Sequence, residues 1–230
     1  MEKENIIRPS LLSADFSFLN DEIEDMIRHN IKSIHFDVMD GSFVSQISFG
    51  QPIFKSIYNR FKNRINFDVH LMTLNPIKQV KQFIDIGSRD ITFHYEVFDN
   101  YQDYISLKNE YPDLKLGLAF SPDTEVEKIL PSLPLFDNVL VMSVVPGKGG
   151  QPYIEGSERK VRKLNEYRKE RNLNFKIIVD GGINEKTGPL CLQNGADYLV
   201  CGSYYFKAAD KDKAIDDIYN NFVKVQHGNY

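Results

Sequence analysis

Ser33-Ile34-His35-Phe36-Asp37-Val38-Met39-Asp40-Gly41 is a short apolar run broken by an imidazole and by acids. That composition suits a buried strand ending at a site. Side chains alternate between the two faces of a strand. His35, Asp37 and Met39 therefore share one face, and Ile34, Phe36 and Val38 share the other. Burying an imidazole beside a carboxylate is costly unless something pairs with them. A divalent metal would satisfy both and give them a task. The alternative is a His–Asp hydrogen bond that only ties down the strand end.

Similar runs recur along the chain. They are Ile6–Leu12, Ser33–Asp40, Ile65–Met72, Asp90–Glu96, Lys115–Ser121, Asn138–Val144, Lys176–Gly182 and Tyr198–Ser203. Near-continuous apolar runs are what strands covered on both faces require. The spacers carry helical patterns. Leu19, Ile23, Met26 and Ile27 fall on one face. Asn75-Pro76 reads as an N-cap followed by a first-turn proline, Ile77, Val80 and Ile84 as a stripe, and Gly87 as a stop. Ser157 to Asn172 reads as a charged outer helix with Val161 and Leu164 inward, and 210–225 closes the chain on Ile215, Ile218 and Phe222. Gly188-Pro189 marks either the start or a kink of the helix before the last run, because proline breaks a helix interior. Alternating strands and helices imply parallel strands with right-handed crossovers. About eight units in 230 residues fit a closed (β/α)₈ TIM barrel; an open doubly wound sheet usually has nearer six strands. No linker or charge block divides the chain, so a single domain over residues 1–230 is expected.

Composition bounds the partners. With 28 basic and 32 acidic residues the formal charge is −4, which gives no electrostatic footprint for nucleic acid or an anionic membrane. No apolar run approaches the roughly 18 residues of a membrane span. Met1–Asn5 is charged and does not read as a secretory signal. Cys191 and Cys201 form no C-x-x-C pair and read as buried thiols. A soluble, cytoplasmic protein is expected.

Active sites of such barrels lie at the C-terminal ends of the strands. The first run ends near Ser10–Ser13, the second offers His35, Asp37 and Met39, and the third puts Asp68, His70 and Met72 on one face. The fourth offers His94 and Glu96, the sixth Met142, and the seventh ends in Asp180. A barrel would aim His35, Asp37, His70 and Asp180 inward at the same end. That N₂O₂ set suits one divalent ion, zinc first, with iron, manganese or cobalt as other candidates. His94 is a rival ligand or a partner that orients one, and Asp68 reads as a hydrogen-bonding support. Glycine clusters follow the last three runs, at Gly147-Lys148-Gly149-Gly150, Gly181-Gly182 and Gly202-Ser203. Glycine lets backbone N–H groups approach an anion, and barrels often bind phosphate after strands seven and eight beside a short helix. Ser203–Phe206 could be that helix. Met39, Met72 and Met142 read as plain core residues or as a wall around a planar, electron-rich intermediate.

The chain resembles the ribulose-phosphate 3-epimerase family along nearly its whole length. The resemblance is carried, in order, by Pro9-Ser10-Leu11-Leu12-Ser13-Ala14-Asp15-Phe16, His35-Phe36-Asp37-Val38-Met39-Asp40-Gly41, Asp68-Val69-His70-Leu71-Met72, Val141-Met142-Ser143-Val144-Val145-Pro146-Gly147, Gly149-Gly150-Gln151, Val179-Asp180-Gly181-Gly182 and Gly195-Ala196-Asp197. It implies a metal-dependent isomerase of carbohydrate metabolism, in the pentose phosphate pathway, with His35, Asp37, His70 and Asp180 as ligands. It also implies Asp37 and Asp180 as the catalytic acid/base pair, and substrate contacts from Ser10, His70, Gly147 to Gly150, Asp180, Gly181, Gly182, Gly202 and Ser203. Homo-oligomerisation is adopted by resemblance alone.

Three departures stand out. Ser42-Phe43-Val44-Ser45-Gln46 replaces the family's usual H-F-V-P-N, Lys148 replaces a phenylalanine, and Phe120-Ser121-Pro122 replaces L-N-P. No ligand position is lost.

The reaction implied is epimerisation at C3 of D-ribulose 5-phosphate to D-xylulose 5-phosphate. Two aspartates on opposite faces would transfer the proton through a cis-enediolate shielded by Met39, Met72 and Met142. The altered loop at 42–46 motivates a related ketose 6-phosphate, such as allulose 6-phosphate, as the alternative substrate. A catalytically silent sugar-phosphate binder and a barrel lyase or decarboxylase are more distant readings. The lyases tend to carry a lysine beside the carboxylates, and no strand-end lysine is evident.

Overall fold

All eight apolar runs contain a strand: β1 Ile7–Pro9, β2 Ser33–Met39, β3 Asn66–Met72, β4 Asp90–His94, β5 Lys115–Phe120, β6 Asn138–Met142, β7 Lys176–Asp180 and β8 Tyr198–Cys201. The computed structural model describes residues 6–226, so the charged start Met1–Asn5 lies outside the described residues. Each paired strand runs parallel to its neighbour, in the order β1-β8-β7-β6-β5-β4-β3-β2. A parallel bridge between Ser10 and His35 joins the end of β1 to β2, which brings the two edges of the sheet together. The result is a (β/α)₈ TIM barrel, and the open-sheet alternative falls.

The outer layer contains α1 Leu19–Arg28, α2 Gln51–Phe61, α3 Pro76–Ile86, α4 Tyr101–Glu110, α5 Val126–Ile129, α6 Ser157–Glu170, α7 Thr187–Gln193, α8 Ser203–Phe206 and α9 Lys211–Gln226. The β5–β6 crossover shrinks to α5 and a 3₁₀ stretch, Leu130–Leu135. Pro131 and Pro134 there lack the N–H groups that a longer helix needs. Pro189 lies in the first turn of α7, where a missing N–H goes unused, so Gly188-Pro189 marks a start rather than a kink. Pro76 opens α3, but the Asn75 side chain makes no capping bond; its backbone carbonyl accepts from Gln79 N at 3.3 Å instead. The first run is a strand only as far as Pro9. Ser10 then caps a 3₁₀ turn, with Leu12 N donating to its Oγ at 3.2 Å. Glu96 likewise leaves β4 and sits in the 3₁₀ turn Tyr95–Val97.

Alternation sorts the two faces of β2. Ile34, Phe36 and Val38 join the large core between sheet and helices. There Phe36 stacks on Phe49 at 4.2 Å and meets Phe54 edge-on at 5.1 Å. A fully buried phenylalanine stabilises by about 1.5–3 kcal/mol, which locks the strand's register and aims its other face inward. Inside the barrel, Ala119, Leu140, Met142, Val144, Ile178 and Val200 form a smaller apolar cluster.

The lower end of the barrel is ionic. Arg8 donates to Asp68 at 2.7 Å, lies 3.9 Å from Asp90, and stacks over the Tyr198 ring at 4.1 Å. Asn138 Nδ2 donates to Asp90 at 2.8 Å. Removing one member of a buried ion pair leaves the other uncompensated and costs about 3–5 kcal/mol. Arg8→Met should therefore lower stability by about 3 kcal/mol in denaturant unfolding, the low end because Asp68 keeps His35 as a partner. An unchanged unfolding midpoint would show that the ion pair contributes nothing.

Candidate metal and substrate site

β2 and β3 pair with His35 beside Asp68, Asp37 beside His70 and Met39 beside Met72. The shared register puts all six on the inner face of neighbouring strands. Asp180 ends β7, three places round the sheet from β2 through β1 and β8. One ligand atom from each of His35, Asp37, His70 and Asp180 lies within 4.8 Å of all the others. His35 Nε2 is 3.2 Å from Asp37 Oδ1 and 3.8 Å from Asp180 Oδ2; His70 Nδ1 is 3.1 and 3.9 Å from the same two oxygens. His35 and His70 are fully buried.

Hydrogen bonds behind this cluster orient it. Asp68 Oδ2 lies 3.0 Å from His35 Nδ1, and a carboxylate can only accept, so His35 donates from Nδ1, and Nε2, toward the centre, is the nitrogen that would give up its proton to a cation. His94 is not a fifth member of the cluster. Its Nε2 is 2.9 Å from His70 Nε2, and its Nδ1 is 3.1 Å from Glu96. Burial pushes the His94 pKa down to about 4 despite Glu96, so it stays neutral. Burial opposes ionisation of Glu96, but hydrogen bonds from His94, Thr124 and the Ser121 N–H hold its pKa down at about 2.

The two central carboxylates are split. Burial works against ionised Asp37, yet His35 and His70 outweigh it and hold its pKa far below the ordinary range. Ser10 Oγ also donates to Asp37 at 2.5 Å. Burial and the Asp37 charge push Asp180 up to about 7. Burial would lower His35, but Asp37 and Asp68 hold its pKa well above its usual value. Two carboxylates and a facing imidazole pair thus compete for protons at one point. The donor set is short of positive charge there, and a divalent cation fits it. These four residues could hold a metal ion.

The substrate-facing residues expected from sequence line one cavity of about 570 Å³, counting the space open to solvent. Ser10, Asp37 and Asp180 lie in its wall with Gly147 to Gly150, Gly181, Gly182, Gly202 and Ser203. Met39, Met72 and Met142, all buried, complete the wall beside the carboxylates. His70 is the exception, since it lies behind Asp37 and does not reach the cavity. Gly182 has φ +62°, and a Cβ there would meet the Tyr153 backbone N at 2.3 Å, so the loops after β6 and β7 meet backbone to backbone. Ser143 Oγ donates to the Asp180 and Gly181 carbonyls at 2.9 and 2.7 Å, which fixes the end of β7.

The altered loop does not line this cavity but packs against Gly147, which does. Gly41 N donates to Gln46 O at 3.1 Å, closing the 42–46 turn. Phe43 packs on His94 with ring centroids 4.6 Å apart, and a Cβ on Gly147 would meet Val44 at 2.7 Å. Sequence reasoning missed Arg8. Its signal was an arginine inside an otherwise apolar run, Ile6-Ile7-Arg8-Pro9. Among the described residues, no helix is long and apolar enough to cross a membrane.

A family model described as "Ribulose-phosphate 3 epimerase family" matches residues 6–206. A ribulose-phosphate 3-epimerase of Treponema pallidum (strain Nichols) is 39% identical over 207 residues, covering 90% of this chain and 93% of its own. The ribulose-phosphate 3-epimerase of Schizosaccharomyces pombe is 35% identical over 221 residues, covering 96% and 95%. Among solved structures, 3-keto-L-gulonate-6-phosphate decarboxylase from Vibrio cholerae superposes with a TM-score of 0.67 at 9% identity, over 96% of this chain and 98% of that one. At that identity the likeness is one of fold.

Proposed function

The chain belongs to the ribulose-phosphate 3-epimerase family and is an epimerase of pentose phosphates; from that premise we propose that it interconverts D-ribulose 5-phosphate and D-xylulose 5-phosphate at C3 by a two-base, metal-dependent route. The observation that carries this reading is the placement of Asp37 and Asp180. They come from separate strands, both reach the cavity, and both belong to the four-residue donor set.

The C3 proton of the substrate is acidified by the adjacent C2 carbonyl. One aspartate removes it, and the other delivers a proton to the opposite face of the resulting enediolate. Exchanging their roles runs the reaction backwards. Carboxylates have an ordinary pKa of about 4 and are weak bases, so the developing charge on oxygen must be stabilised in the transition state. A divalent ion held by His35, Asp37, His70 and Asp180 would supply that stabilisation as a Lewis acid, with zinc first among zinc, iron, manganese and cobalt.

The split pKa values suit paired acid and base work, since separate environments push two like groups apart. Ser10 orients Asp37 through its 2.5 Å hydrogen bond. The phosphate lies against Gly147 to Gly150, Gly181, Gly182, Gly202 and Ser203, with Lys148 as the nearby cation. Met39, Met72 and Met142 present polarizable, non-protic surface that keeps water from the enediolate.

The test is proton exchange. In deuterium oxide with ribulose 5-phosphate, NMR should show deuterium entering C3 of both epimers as xylulose 5-phosphate forms. Binding without exchange would make the chain a silent binder. The 42–46 loop, which reaches His94 and Gly147, favours a second reading, allulose 6-phosphate as substrate. A higher kcat/KM for that sugar would replace the pentulose.

A further inference from the structure

We propose that Glu96 and His94 form a positioning relay that fixes His70 as an Nδ1 ligand, tying the metal site on β2, β3 and β7 to the loop after β5. This rests on the reading of His35, Asp37, His70 and Asp180 as a cation site. The relay starts at a carboxylate with one oxygen already taken. Glu96 Oε1 accepts from Ser121 N at 2.8 Å and from Thr124 Oγ1 at 2.5 Å. Its other oxygen, Oε2, is left for His94 Nδ1 at 3.1 Å.

A carboxylate has no proton to give, so His94 donates from Nδ1. A neutral imidazole has one N–H, so His94 Nε2 is then an acceptor. His70 Nε2, 2.9 Å away, must be the donor of that pair. With a cation in the cluster, His70 is therefore left with its lone pair on Nδ1, 3.3 Å from His35 Nε2; without one, that nitrogen is the donor to the Asp37 carboxylate 3.1 Å away. Reversing the chain would place a proton on His70 Nδ1, at the point where a cation must bind.

The scaffold holds the relay in place. The His70 and His94 rings are stacked at 5.0 Å with 25° between their planes, and Phe43 packs on His94. Lys160 of α6 donates to the carbonyls of Pro122 and Thr124, pinning the loop that caps Glu96. On the side away from the four-residue cluster, His35 Nδ1 meets the Asp68 carboxylate directly, whereas His70 Nε2 reaches Glu96 only through a second imidazole.

Loss of a group that orients a metal ligand typically costs 10- to 100-fold in affinity. The full-length protein should be freed of metal and titrated with Co²⁺, whose visible absorption reports affinity and coordination geometry. His94→Phe should weaken Co²⁺ binding about 10- to 100-fold, and Glu96→Gln about 3- to 10-fold, with altered absorption bands in both. Nitrogen-15 spectra of the zinc-loaded parent should show His70 protonated on Nε2, and Glu96→Gln should erode that signature. Glu96 is partly exposed and its variant keeps its shape, so Glu96→Gln decides the matter should His94→Phe fail to fold. Parental affinity and parental bands in Glu96→Gln would overturn the relay and leave the epimerase reading standing. A parent chain that binds no Co²⁺, or whose bands survive His35→Ala, would overturn both.

Discussion

Asp37→Asn and Asp180→Asn should each abolish net epimerisation. A positioned acid or base contributes about 10²–10⁴-fold, and each variant removes one of the two groups that must act on opposite faces. The fold should survive, because asparagine matches aspartate in volume and the packing around both positions comes from neighbouring strands. Asp37→Asn also removes the like charge that, after burial, pushes Asp180 up to about 7. Metal content should be measured on the same samples, because each aspartate also belongs to the donor set. Deuterium exchange adds a finer reading. The aspartate left in each variant should exchange the C3 proton of one epimer only, the other face being without a base. Near-normal turnover in both variants would end the two-base scheme.

Stripping the metal with a chelator should abolish turnover, and adding back zinc, manganese, iron(II) or cobalt should restore it. Metal uptake should also depend on pH, with a definite sign. The ligands bind in their deprotonated forms. Asp180 titrates near 7 in the metal-free protein, and His35 is held well above its usual value by Asp37 and Asp68. Protons therefore compete with the cation below neutrality, and affinity should rise as pH increases through about 7. Calorimetry in buffers of different ionisation enthalpy would count the protons released. Full turnover after exhaustive chelation would exclude the metal-dependent route.

Much of this site was legible in the chain. Period-two alternation in 33–39 and 66–72 was enough to put His35, Asp37 and Met39 on one face, and Asp68, His70 and Met72 on another. Those side chains do point into the barrel, because Ile34, Phe36 and Val38 are drawn to the helices. The glycine clusters were placed by the rule that barrel sites gather at the C-terminal strand ends, and they line the same cavity. Local propensity was weaker at boundaries. It carried β1 past Pro9 and β4 out to Glu96, where 3₁₀ turns begin instead.

The sequence by itself determined the strand count, the inward faces and the four candidate donors, since each lies on an inward face or at a strand end. Only the tertiary structure decided how those donors are held. Closing the sheet brings Asp180 of β7 to Asp37 of β2, and the tertiary structure sets Arg8 against Asp68 and His94 against His70. Such pairings join residues up to 143 positions apart in the chain, as between Asp37 and Asp180. Hydrogen-bond direction and ion pairing depend on distances of a few ångströms, and no periodicity within a single strand encodes a distance across the barrel.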